Sequence, residues 1–406
     1  MKTRLMLASV ILLAVCTGAD SAREAQECTS LVASGAATVG GGPLLWKNRD
    51  TDQTSNKVIF VKDQPYSFLA LVNAEDTSGR MAWAGLNSIG FAISNSVAYN
   101  LPQEAGEEAD LEGIIMADAL RTCATVADFE RYVTRSLGPN LGSRANFLVI
   151  DAQGGASIFE VHNHGYRQFE AQDAPEKYLV NSNFSRSGPA SQGAGYLRFD
   201  RASTLFRGVT AGTLSHEFVL QVAARDLGHA LLKHPERGEW KKLPPDPPSW
   251  IHANYTINRA STASAVVFRG VKPGDDPRTA TMWVILGEPV TSIAVPLWVA
   301  AGPPPEPLWQ GRDAPIVQEA LRLKDALRPL RSRERKEYID LTRLDNSAGT
   351  GWLPRLLSVE SDLIKQTEDL LKRSPSVADL GDFEKTAAAR VLASLKGVGT
   401  APAFPR

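Results

Sequence analysis

The sequence predicts an α+β protein in which blocks of strands and blocks of helices stack as layers. Strand-like runs fill residues 29–96, helical spacing follows over 111–137, strands return, helices return, and a last strand block precedes a helical end. Elements that come in blocks suit a layered sandwich better than a doubly wound sheet, where strand and helix alternate one by one. With 406 residues, 43% of them hydrophobic, the chain can bury a full core. Its formal net charge is -1 and the charged residues are spread along it, so nothing in the charge points to a nucleic-acid face or a strongly acidic or basic partner.

The first element reads as a targeting segment. Lys2 and Arg4 precede an apolar run over 5–15 that is short for a bilayer span, and small residues follow it. Thr17-Gly18-Ala19 or Ala19-Asp20-Ser21 would suit a signal peptidase, so residues 1–21 are expected to be a signal peptide and the protein secreted or periplasmic. Leu13-Ala14-Val15-Cys16 is close to a lipoprotein attachment box, but Val15 is bulky where a small residue is needed; anchoring at Cys16 is the minor alternative. No other stretch is long and apolar enough to insert in a membrane. After the leader only Cys28 and Cys123 remain. Two cysteines in an exported chain make one bridge or leave a thiol for chemistry. Cys123 closes an amphipathic run over 110–123 and reads as a core residue, which leaves Cys28 to explain.

Residues 29–39 are small and β-branched, 43–47 are apolar, and Gly40-Gly41-Gly42 between them can reverse the chain. Folded as a hairpin, these runs bring Cys28 near Asp50, with Lys47 at the same end; the alternative is an ordinary edge hairpin. Further strands are expected over 57–62, 68–73, 81–86 and 91–96. The helical stretch 111–137 should break near Thr125, with Asp128 and Glu130 in the first turn of its second half. Residues 145–151 and 156–161 flank a turn, and 177–183 reads as another strand. Helical spacing covers 196–232 with Thr213 or Ser215 as a cap, strands follow over 264–268, 279–286 and 293–299, and 313 onward is amphipathic helix after Pro303-Pro304-Pro305.

Three segments then coincide: Cys28-Thr29-Ser30 just after a leader, Lys47-Asn48-Arg49-Asp50 at the next strand end, and residues 85–95 ending in Ser94-Asn95. Together with Leu179-Val180-Asn181-Ser182 and the late strand block, these resemble the N-terminal-nucleophile hydrolases of the choloylglycine hydrolase and isopenicillin N acyltransferase superfamily. The resemblance covers residues 28–301. It implies a four-layer αββα sandwich, a short propeptide over 22–27, a catalytic domain over 28–302 and a helical extension over 303–406. It also implies that Cys28 becomes the first residue of the mature chain and attacks a linear amide, its own α-amino group acting as base.

Residue by residue, the resemblance gives Cys28 the nucleophile role and has Asp50 orient the α-amino group. Lys47 stands where bile-salt-hydrolysing members carry arginine and would favour the thiolate, without a guanidinium's fork. Asn95 and Asn181 match the oxyanion donors. Arg259 is the candidate for the arginine that holds the aspartate or the substrate, with Arg269 as competitor. Glu27 does not suit a signal peptidase, so removal of 22–27 needs a second cut, by the family's usual N-to-S acyl shift. No metal or organic cofactor is expected: His162-Asn163-His164 lacks a neighbouring ligand cluster in the sequence, His216-Glu217 lacks a second histidine, and no Gly-x-Ser-x-Gly elbow occurs. The expected partner is a small-molecule amide, without nucleic acid. The last helices are expected to give structural support, with shaping of the substrate mouth or a homo-oligomer contact as alternatives. An acyltransferase, a dipeptidase and a non-catalytic binding protein are the rival functions.

Overall fold

The computed structural model describes residues 27–330 and 336–399; the targeting segment and most of the propeptide lie outside the described residues. In chain order the elements are β1 (Glu27–Ala33), β2 (Leu44–Asp50), β3 (Asn56–Val61), β4 (Phe68–Asn73), β5 (Ala84–Asn87), β6 (Ala92–Val97), α1 (Glu112–Thr122) and α2 (Val126–Ser136). They continue as β7 (Arg144–Ile150), β8 (Ala156–His162), β9 (Gly165–Glu170), β10 (Tyr178–Asn181), α3 (Tyr196–Arg207), α4 (His216–Gln221), α5 (Arg237–Trp240), β11 (Trp250–His252) and β12 (Thr262–Arg269). The last are β13 (Thr281–Leu286), β14 (Val295–Leu297), α6 (Pro315–Leu327), β15 (Tyr338–Asp340), α7 (Leu341–Leu344), α8 (Leu353–Leu371) and α9 (Val377–Lys396).

Two antiparallel sheets form the middle layers. One has six strands in the order β10-β1-β2-β12-β13-β14; the other is a seven-stranded meander from β3 to β9. β1 and β2 lie against β6 and β7 of the facing sheet. Alternation along β2 explains both of its surfaces. Trp46 points outward, its ring 5.7 Å from that of Phe206 on α3, whereas Lys47 and Arg49 point inward to the facing sheet. Helices α1 and α2 cover the outer face of the meander, where Phe129 meets Phe159 edge-on at 5.1 Å. Helices α3, α4, α6 and α9 cover the six-stranded sheet. The result is a four-layer αββα sandwich with C-terminal helices.

The helix expected over 111–137 breaks where the sequence indicated. Thr125 and Asp128 form a reciprocal capping box that starts α2. The expected helix over 196–232 is two helices instead: α3 ends at Gly208, and Gly212 takes a left-handed φ of 76° before Ser215 caps α4. β1 ends at Ala33 rather than running to 39, because residues 35–37 turn as a 3-10 helix. β9 was missed: its side chains are half-buried or exposed and carry no apolar run.

The C-terminal helices share one apolar core with the six-stranded sheet, from Leu308 to Val398. Two buried polar ties reinforce the contact. Arg225 forks onto Glu360 of α8 at 2.8 and 2.9 Å, and Glu384 of α9 accepts the Trp298 backbone N–H at 2.6 Å. Among the described residues no helix is long and apolar enough to cross a membrane.

Candidate active site

Register decides what surrounds Cys28. In the β1–β2 hairpin Cys28 pairs with Arg49, Ser30 with Lys47, and Glu27 with Asp50. Cys28 and Asp50 are therefore one residue out of the opposed position expected from spacing. Because side chains alternate, the Cys28 thiol shares the inner face with Lys47 and Arg49, while Asp50 shares the outer face with Glu27. Thiol and carboxylate thus reach the same strand end from opposite sides of the Cys28 backbone.

On the inner face the Lys47 ammonium donates to Asn95 Oδ1 at 2.7 Å and to the Trp83 carbonyl at 2.9 Å. Burial lowers its pKa to about 8, the nearby Cys28 thiol opposing that fall and Arg49 adding to it. Arg49, also lowered by burial, to about 10, bonds Asn56 Oδ1 at 3.0 Å and lies over the Trp83 ring. Lys47 takes the carbonyl end of the Asn95 amide, which leaves Nδ2 as its donor end.

At the sheet edge β10 stops at Asn181, which pairs with Ser30. Cys28, two residues further along β1, has no β10 residue left to bond, so side chains take its backbone groups. Its N–H donates to Asn183 Oδ1 at 2.8 Å. Its carbonyl accepts from Arg198 Nη1 at 2.6 Å and from Ser182 Oγ at 3.1 Å. A backbone nitrogen held by a side chain rather than by a ladder can become a free amine without unzipping the sheet.

Outside the hairpin Asp50 sits in a cage. Its Oδ1 accepts from Thr262 Oγ1 at 2.7 Å, and its Oδ2 lies 3.1 Å from Arg259 Nε and 3.8 Å from Arg198 Nη1. Burial pushes the Asp50 carboxyl up, against the pull of Arg259, Arg198 and Thr262. Arg198 is completely buried; burial first and then the charge of Arg259 depress it. For Arg259 the carboxylates of Asp50, Glu27 and Glu337 outweigh burial and hold its pKa up. Glu27, still joined to Cys28, completes the cage: its carboxylate is 2.7 Å from Arg198 Nη2 and 3.0 Å from Arg259 Nη2.

The structure therefore brings together Cys28, Lys47, Asn95, Asp50 and Arg259. Asn181 faces differently from its expected role: both its amide hydrogens are engaged, with Ser96 Oγ and the Ser182 carbonyl, each at 2.8 Å. Asn183 is the asparagine at Cys28. Arg269, the competitor of Arg259, instead meets Glu368 at 3.4 Å. It lines a cavity of about 480 Å³ at the opposite end of the hairpin, around Gly40, His216 and Glu368; that cavity contains none of the groups around Cys28. Sequence reading missed Arg198, Asn183, Ser182 and Thr262. A period-two count from Asn181 could have flagged Asn183, but Arg198 sits in an ordinary amphipathic helix and carried no signal. Elsewhere the fold brings Glu104 and Glu107 to His164, three exposed or half-exposed groups that the sequence did not connect.

No family profile matches the chain, and no curated protein does. Solved structures do. A Caenorhabditis elegans N-acylethanolamine-hydrolyzing acid amidase ortholog is 15% identical, covering 60% of this chain and 92% of its own, with a TM-score of 0.39. A penicillin V acylase from Agrobacterium tumefaciens is 15% identical over 67% of this chain and 86% of its own, at 0.41. A variant of the conjugated bile acid hydrolase from Clostridium perfringens is 10% identical over 64% and 89%, at 0.35.

Proposed function

We propose that the chain is an exported cysteine amidohydrolase that cleaves a linear amide through a thioester on Cys28, after the Glu27–Cys28 bond has been broken. One observation carries the reading. The Cys28 nitrogen is held by the side chain of Asn183, its thiol lies beside the Lys47 ammonium, and a buried Asp50 with two arginines stands behind it.

The mechanism follows from those placements. In processing, the thiol adds to the Glu27 carbonyl, the C–N bond breaks as the thiol proton passes to nitrogen, and water then hydrolyses the thioester. The freed α-amino group, ordinarily titrating at about 7.7–8.0, becomes the base for later turnovers. Asn183 Oδ1 holds it and Asp50 favours its protonated form. The Lys47 ammonium is the cation beside the attacking sulfur, and Asn95 Nδ2, the end of the amide not taken by Lys47, serves as the donor to the developing oxyanion. A substrate amide repeats the sequence: C–S forms, C–N breaks, the amine leaves with the proton, and water releases the acid.

Intact-mass measurement of the exported protein, paired with turnover of a panel of linear amides by wild type and Cys28→Ala, tests this. A mature chain starting at Cys28, with activity lost in Cys28→Ala, is expected. Retention of Glu27 in the mature chain, or activity surviving in Cys28→Ala, would sink it; the first result would favour a non-catalytic binding protein. An added amine acceptor that diverts the acyl group would indicate acyl transfer by the same thioester.

A further inference from the structure

We infer that the site left by Glu27 is a carboxylate subsite on the acyl side, so that the preferred substrates carry a short acyl chain ending in a carboxylate, as in a glutaryl amide. The inference rests on the hydrolase reading above and adds what that reading leaves open, the chemistry of the acyl group.

Glu27 is the first acyl group that Cys28 carries, because processing and substrate turnover pass through the same thioester. Its carboxylate stands three carbons from the carbonyl that is attacked. Two guanidiniums grip that carboxylate, Arg198 Nη2 at 2.7 Å and Arg259 Nη2 at 3.0 Å. Neither is a surface cation: Arg198 is 0% and Arg259 7% exposed. Arg198 is fixed by four further contacts that do not involve Glu27, to the Cys28 carbonyl, Thr29 Oγ1, Asn183 Oδ1 and Asp50. The fork therefore stays in place when the propeptide leaves.

Charge points the same way. Arg198, Arg259, Lys324 and Arg328 are met here by Glu27, Asp50, Glu288 and Glu337. Glu288 is held by Arg328 at 2.7 Å and by Lys324 at 3.8 Å. Departure of Glu27 takes from this cluster the one carboxylate that both Arg198 Nη2 and Arg259 Nη2 contact. Each guanidinium keeps Asp50 but loses the carboxylate acceptor of its Nη2; a buried donor left without an acceptor is costly, and an incoming carboxylate removes that cost. A neutral acyl chain would leave these donors unpaired, which is how a polar site rejects an analogue.

The test uses processed wild-type protein and three probes: glutaryl-4-nitroanilide, pentanoyl-4-nitroanilide, and N-pentanoylglycine, whose carboxylate is on the amine side. Glutaryl is expected to exceed pentanoyl by about a hundredfold in kcat/KM, mainly through KM. Arg198→Met should bring that ratio close to one; the ratio within one variant cancels any general loss of turnover. Should Arg198→Met fail to fold, protection of the wild-type Cys28 thiol from alkylation decides. Glutarate is expected to protect and pentanoate not.

Equal turnover of the two anilides overturns the subsite and leaves the hydrolase standing. Preference for N-pentanoylglycine overturns the acyl-side assignment. A processed protein that turns over none of the three is judged by glutarate protection alone, and absence of protection overturns the subsite. An intact Glu27–Cys28 bond overturns the hydrolase reading and this inference with it.

Discussion

Lys47→Met is the substitution whose outcome the structure fixes most closely. Lys47 is 1% exposed, and burial takes its pKa from 10.5 to about 8. At about 1.4 kcal/mol per pH unit, keeping the ammonium charged inside the fold costs about 3 kcal/mol at neutral pH. Methionine fills a similar volume without the charge, but it leaves the Trp83 carbonyl and Asn95 Oδ1 without their donor, at roughly 1–3 kcal/mol for each buried acceptor. Near pH 7 the two effects nearly cancel, so the midpoint alone is uninformative and the pH dependence is decisive. Between about 8 and 10.5 the unfolded chain holds the Lys47 proton and the folded one has lost it, so wild-type stability rises with pH across that window. Below 8 the penalty is complete; above 10.5 it is gone. Lys47→Met has no such group, and wild type should gain about 3 kcal/mol on it from pH 8 to 10.5. Urea unfolding of both proteins across this range reads the difference directly. A difference that stays flat would refute a buried, titrating ammonium beside Cys28.

Other outcomes follow from single contacts. Asn183→Ala removes the acceptor of the Cys28 N–H and should slow removal of the residues before Cys28; an unchanged time course by intact mass would remove Asn183 from the site. Arg225→Met leaves Glu360 buried without its partner and should cost about 3–5 kcal/mol in chemical denaturation. Adding Glu360→Leu should recover much of that loss, and a double variant no better than the single one contradicts the pairing. Glu384 is raised by burial to about 8, so its folded form binds the extra proton between 4.5 and 8 and stability falls as pH rises there. Glu384→Gln should then be more stable than wild type by several kcal/mol at pH 8 and similar near pH 4.5; identical pH profiles count against it. In a Cys28→Ala background, burial holds the Cys123 thiol at about 11 and 2% exposed, so labelling should wait for unfolding, and rapid labelling of the native protein contradicts that burial.

Layering was legible because it rests on signals that act within a few residues. The apolar strand runs at 68–73 and 145–150, the capping box at Thr125 and the glycines after Ala37 each act over one turn or one hairpin. The parts that were not legible depend on tertiary contact. β9 is held by its pairing to β8 rather than by an apolar stripe. The helix also stops at Gln221 instead of running on to 232, where Arg225 turns inward to Glu360 and the carbonyls of Pro289 and Ser292, far away in sequence.

The site divides along the same line. Cys28, Lys47 and Asp50 lie on one hairpin, where counting residues brings them to one end; the count erred by one residue because loop length alone does not set the register. That single step has chemical consequences. It places the thiol with Lys47 inside the sandwich and leaves Asp50 outside with Glu27, so the carboxylate reaches the strand end from the face opposite the sulfur. Asn95 and Arg259 were found through the resemblance, which carries long-range information that spacing lacks. Arg198 could be found by neither route. It projects from α3, and its value comes from β10 ending two residues short of Cys28, which leaves the Cys28 carbonyl for a side chain to claim. A strand end and a helix surface decide that role jointly, and no local pattern in the sequence encodes where the two meet.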